Sequence, residues 1–93
     1  MKDKFDKEFN LMLLTASKDK MLFQKVVKSI FTVKELEEFA LRWQIIKRIS
    51  KGETHRQISK DLGVGVATVT RGSRELSNKK GGFSRILKQL KSK

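Results

Sequence analysis

Residues 54–71 read THRQISKDLGVGVATVTR, and their types suit contact with a nucleic acid. Thr68 and Thr70 carry hydroxyls that can bond base edges or phosphates. Val66 and Ala67 offer methyl groups small enough to meet a thymine methyl. Arg56 and Lys60, just upstream, have the length to reach a guanine edge or the backbone. Other chemistry is scarce. There is no Cys and a single His, His55. That excludes a disulfide scaffold and Cys-ligated zinc or iron–sulfur sites, and it leaves little for a Ser-His relay. No glycine-rich phosphate loop precedes a helix, and no paired carboxylates stand out. The expectation is no catalytic residue, no metal and no enzyme. His55, beside a helix start, reads as a polar residue near solvent or nucleic acid.

The charge balance points the same way. The chain has 93 residues with 22 Lys+Arg against 10 Asp+Glu, a formal net charge of +12. Such an excess implies an anionic partner, nucleic acid first and acidic membrane second. No 18-residue apolar run is present, and the mixed-charge start MKDKFDKEF does not read as a secretory signal. The expected location is the cytoplasm, with no membrane partner. From Arg74 to Lys93 there are seven basic residues and one acid, Glu75. This run reads either as a solvated helix face or as additional phosphate contact.

The elements that must position these residues are helical. Pro is absent, Gly is sparse and no hairpin signal occurs. Phe5, Phe9, Met12 and Leu13 mark one apolar helix face, and Leu22, Phe23, Val26, Val27 and Ile30 mark a second. Ser17 is placed to cap the second helix, with Lys18 and Asp19 in its first turn. Thr32 to Glu35 forms a capping box that opens a long helix ended by Gly52. That helix carries two stripes, Leu36, Phe39, Trp43 and Ile46 on one side and Leu41, Ile45 and Ile49 on another. A helix apolar over so much of its girth is central, and in a short chain a second subunit is the natural cover for the extra stripe.

Thr54 to Gln57 forms a second capping box. Ile58 and Leu62 point inward, Gly63 allows a left-handed turn, and Val64 and Val69 anchor the next helix. Val66, Val69 and Leu76 have the spacing of a buried side, with Val66 at the margin of the outward face. A short helix, a glycine-containing turn and a second helix make a helix-turn-helix. Residues 77–82 form a loop, and Phe83, Ile86, Leu87 and Leu90 give a last amphipathic helix. The expected architecture is all-α, with about six helices in a single domain spanning 1–93. Within it, 1–31 holds N-terminal dimerisation helices, 32–52 the central helix, 54–76 the helix-turn-helix and 83–93 the C-terminal helix.

Residues 62–73, LGVGVATVTRGS, together with the segment from Phe31 to Gly52, resemble the bacterial tryptophan repressor family. The likeness covers Phe31 to Leu76, and GVATVTRGS is its most specific part. The resemblance implies an intertwined homodimer that binds double-stranded operator DNA, with L-tryptophan as corepressor controlling amino-acid biosynthesis genes and no other cofactor. It assigns the ligand's indole to Arg42 and Arg71, a guanidinium on each face. Thr32 matches the threonine that bonds the ligand carboxylate, Gly72 the glycine beside the ring, and Ile45 and Ile46 apolar walls. Glu75 stands where the family carries a serine near the ligand ammonium. Arg71 also reads as a simple phosphate clamp, and the whole pattern also fits a nucleic-acid-binding protein that needs no effector.

Overall fold

The computed structural model describes residues 2–91. These form six α-helices and no strand: α1 (Lys2–Ala16), α2 (Lys20–Ile30), α3 (Val33–Ser50), α4 (His55–Leu62), α5 (Val66–Ser77) and α6 (Phe83–Lys91). The fold is all-α. The expected last helix reached Lys93; Ser92 and Lys93 lie outside the described residues. The chain divides into two compact units, one up to Glu37 and one from Glu38 onward.

In the first unit α1 packs on α2. The cap of α2 is Asp19, not Ser17. Its carboxylate accepts from the N–H groups of Met21 and Leu22 at 3.1 and 3.2 Å. Ser17 lies beyond the end of α1, and its hydroxyl donates to the Leu14 carbonyl. The physical reason is charge and register: an anion at the cap suits the positive end of the helix dipole, and Asp19 alone sits at the right offset from the orphan donors. Phe9 meets Phe31 edge to face, with centroids 6.3 Å apart. Ala16 is buried, whereas Phe5, Leu11, Leu14, Met21, Leu22, Phe23 and Ile30 remain exposed. The capping box at Thr32 is complete. Its hydroxyl oxygen accepts from the Glu35 N–H at 3.1 Å, and the Glu35 carboxylate accepts from the Thr32 N–H at 2.9 Å.

The second unit is built on α3. Ile45, Ile58 and Val69, one each from α3, α4 and α5, form a fully buried cluster. Leu41, Ile49, Leu62 and Val64 pack around it. Burying each such side chain is worth about 1.5–3 kcal/mol, so the helix-turn-helix is tied to α3 by apolar contact. Ile46, from the other stripe, is also buried, and Trp43 packs on Phe83 of α6 at 6.3 Å between centroids. Phe39, further along that stripe, stays exposed. Val66 departs from the expected buried side and is 52% exposed, because the chain turns into α5 at Gly65 and brings Val69 rather than Val66 against Ile58.

Candidate nucleic-acid interface and effector pocket

The helix-turn-helix depends on its turn. Gly63 closes α4 in the left-handed conformation, φ 67°, and its N–H donates to the Ser59 carbonyl. A side chain at this φ is costly, so glycine is the fitting residue. The Ser59 hydroxyl donates to the Val64 carbonyl and stitches the turn to α4. At the start of α4 the Thr54 hydroxyl accepts from the Gln57 N–H at 3.1 Å. Only half of this capping box forms. The Gln57 amide turns instead to Asp61, one helical turn on, and donates to it at 2.7 Å.

Arg48 secures the same junction from α3. Its guanidinium donates to Glu53 at 2.7 Å and to Asp61 of α4. The hydrogen bond to Glu53, then that to Asp61, pushes the Arg48 pKa up from its ordinary value. The Arg48 hydrogen bond in turn holds the Asp61 carboxyl below the ordinary aspartate value of 3.8. The clamp joins the end of α3, the loop after it and α4. Sequence pattern did not single it out, since its partners are 5 and 13 residues from Arg48.

The expected DNA-facing residues are on the surface. Arg56, Lys60, Val66, Ala67 and Thr68 are exposed, and Thr70 is half-buried. On α5, Val69 faces the core and Gly72 lies against α3, which turns Ala67 and Thr70 toward the opposite side, with Arg71 at its margin beside α3. Arg74 shares that side, seven residues from Ala67, and is exposed. It was legible only as part of the basic run, although helical period places it with Thr70 and Arg71. Gly65 caps α5 without a side-chain hydrogen bond. The Val66 and Ala67 N–H groups at the start of α5 thus have no side-chain acceptor, and helix-start N–H groups of this kind can receive a phosphate.

A pocket of about 430 Å³ opens between α3, α5 and the start of α6, within the range of small-molecule sites, about 300–1,000 Å³. Arg42, Ile45 and Ile46 come to it from α3, and Arg71, Gly72 and Glu75 from α5. Thr68 lines it too, so this residue borders both the pocket and the exposed face of α5. Phe83 completes the lining and was not among the expected site residues. Its approach follows the loop between α5 and α6 and its packing on Trp43, which no local spacing encodes. The Arg42 guanidinium lies over the Phe39 ring, 5.4 Å from its centroid. Thr32 belongs to the first unit, where it serves the capping box already described.

The chemistry of the pocket is amphipathic. Two guanidiniums and one carboxylate stand among isoleucine and phenylalanine walls, a set that suits a ligand with an aromatic body and charges of both signs. Among the described residues no cluster of His, Asp or Glu could hold a metal ion, and no helix is long and apolar enough to cross a membrane.

A family model described as Trp repressor protein matches residues 6–91. A Trp operon repressor homolog of Vibrio campbellii is 41% identical over 68 residues, 72% of this chain and 68% of that protein. The corresponding homolog of Vibrio parahaemolyticus is 41% identical over 68 residues, 72% of this chain and 66% of that protein. One from Vibrio vulnificus is 45% identical over 62 residues, 66% of this chain and 61% of that protein. The matched stretch thus spans about two thirds of the length of these relatives.

Proposed function

The chain belongs to the Trp repressor protein family, and from that premise we propose that it is a homodimeric, sequence-specific DNA-binding repressor with L-tryptophan as corepressor. One observation carries the reading. The pocket is walled by α5, the reading helix of the helix-turn-helix, and by α3, the helix on which that motif is packed. A ligand seated there touches both elements and can favour one arrangement of them through differential affinity.

In this reading Arg42 and Arg71 hold the indole, Ile45 and Ile46 wall it and Gly72 leaves room beside it. The Glu75 carboxylate pairs with the ligand ammonium. Thr32 is carried into the reading by family likeness alone. Arg56, Lys60, Val66, Ala67, Thr68 and Thr70 meet DNA, with the last four on the groove-reading helix. Helix-turn-helix dimers, tryptophan repressors among them, read half-sites about one helical turn, roughly 34 Å, apart. Dimerisation is supported by the apolar surface that Phe5, Leu11, Leu14 and Met21 leave uncovered in the single chain. No catalytic step forms part of this reading, and the site of action is the cytoplasm.

A second reading, a helix-turn-helix protein that binds nucleic acid without an effector, draws on Glu75. A carboxylate lining the pocket opposes the carboxylate of an amino acid as well as pairing with its ammonium. Mobility shifts against a pool of duplexes test the DNA part of both. Selection of a two-fold symmetric site that survives rising salt supports sequence-specific binding. Equal affinity for every duplex overturns it.

A further inference from the structure

Beyond the reading helix, the chain builds a basic cleft that the tryptophan pocket does not explain. It lies between the end of α5, the turn after it and one side of α6. Lys79 and Lys80 come from the turn and Arg85 and Lys88 from α6, with Ser77 and Ser84 between them. Among the described residues no Asp or Glu lines it. Among the described residues, Lys79, Lys80 and Arg85 make no ion pair, in contrast to Arg48, which has two.

The turn is organised rather than loose. The Asn78 side chain accepts from the Lys80 N–H at 3.0 Å, and its carbonyl accepts from the Gly81 N–H at 3.0 Å. Leu87 is buried and anchors α6, so Ser84, Arg85 and Lys88 are left exposed on the other side. One cation would satisfy the negative end of the α5 dipole. A surface selected for solubility intersperses both signs. Lys79, Lys80 and Arg85, three unpaired cations in one cleft, match instead a polyanion with regularly spaced charges.

We propose that this cleft is a second DNA contact, which grips phosphates of the duplex backbone beside the base pairs read by α5. The inference rests on the DNA-binding reading above and adds a site to it. Position selects DNA as the occupant. The cleft begins at Leu76, at the C-terminal end of the reading helix, and in the homeodomain, a three-helix variant of this motif, that end of the helix meets the backbone. Contacts of this kind position the protein without reading sequence.

The test is a salt titration of binding to a labelled duplex of arbitrary sequence, followed by anisotropy. The combined variant Lys79→Gln, Lys80→Gln, Arg85→Gln is compared with Lys20→Gln, Lys25→Gln, Lys28→Gln, which removes the same charge from α2. Removing one cation from a phosphate lowers the slope of log affinity against log salt by about 0.9, so the cleft variant falls by about 2.7 per protomer. The α2 variant keeps the wild-type slope. Arg85→Lys alone, which retains the charge, keeps it as well, and single Lys79→Gln and Lys80→Gln variants each fall by about 0.9 if the combined variant does not fold. An equal fall in the cleft and α2 variants, or no fall in either, overturns the cleft while leaving the DNA-binding reading intact. A wild-type protein that binds no duplex at low salt overturns both.

Discussion

Gly72 of α5 lies directly against Ile45 of α3: a Cβ built on Gly72 would stand 2.7 Å from Cγ2 of Ile45. Ile45 is 1% exposed and cannot swing away. The glycine is therefore required by helix packing, and the same absence of a side chain opens the floor of the pocket that both residues line.

Gly72→Ala follows directly. Overpacking costs about 1–3 kcal/mol, against a gain of about 1 kcal/mol from helix propensity. The net expectation is a loss of up to about 2 kcal/mol, read from the denaturant midpoint. In an Ile45→Ala background the clash disappears, and Gly72→Ala becomes neutral or stabilising. A double-mutant cycle with no coupling would contradict the contact.

The Arg48 clamp makes stability depend on acid. Its hydrogen bond holds the folded Asp61 carboxyl below the ordinary 3.8, so the unfolded chain binds that proton more readily. The contribution is fully present above the ordinary value and is lost as pH falls through the lower, folded one. Wild type should exceed Asp61→Asn in stability at neutral pH, and the two should converge on acidification below that range. A gap that stays constant down to the acid transition would refute the role given to Asp61.

On the reading helix, Thr70→Ala tests base contact without disturbing the core. Loss of one hydrogen bond costs about 0.5–1.5 kcal/mol. The selected duplex should bind about 2- to 13-fold more weakly, with arbitrary duplexes unchanged. Equal weakening on every sequence would reassign Thr70 to phosphate contact.

Much of this was legible in the sequence wherever a signal is local. The Thr32–Glu35 box, Gly63 in the turn and the alternation of Ile58, Leu62, Val64 and Val69 depend on neighbours a few residues apart. Two caps were harder. Ser17 and Asp19 are both capping residue types two positions apart, and only the register of the orphan N–H groups separates them. The Gln57 side chain had two partners within reach, the Thr54 N–H and the Asp61 carboxylate, and it donates to Asp61. Phe83 in the pocket and the Arg48 clamp arise from chain reversal, which spacing within one helix does not encode.

Glu75 and Arg42 test the pocket chemistry. Arg42→Ala removes a cation–π contact worth about 0.5–2 kcal/mol and should weaken tryptophan binding by about 2- to 30-fold. Glu75→Ser should weaken it by up to about fivefold, the worth of an exposed ion pair, and leave binding of the analogue without an amino group unchanged or improved. Calorimetry distinguishes these. Tighter tryptophan binding by Glu75→Ser would mean that the carboxylate repels the ligand, in favour of the effector-independent reading.

The most direct measurement is the affinity of the intact protein for its selected duplex with and without L-tryptophan. The proposed coupling predicts that saturating tryptophan tightens specific binding by about 5- to 150-fold, the range of a coupling energy of 1–3 kcal/mol. It also predicts that Arg42→Ala reduces the gain at subsaturating ligand. Identical affinity with and without millimolar tryptophan would contradict the account and leave a repressor-family protein that binds DNA without this effector.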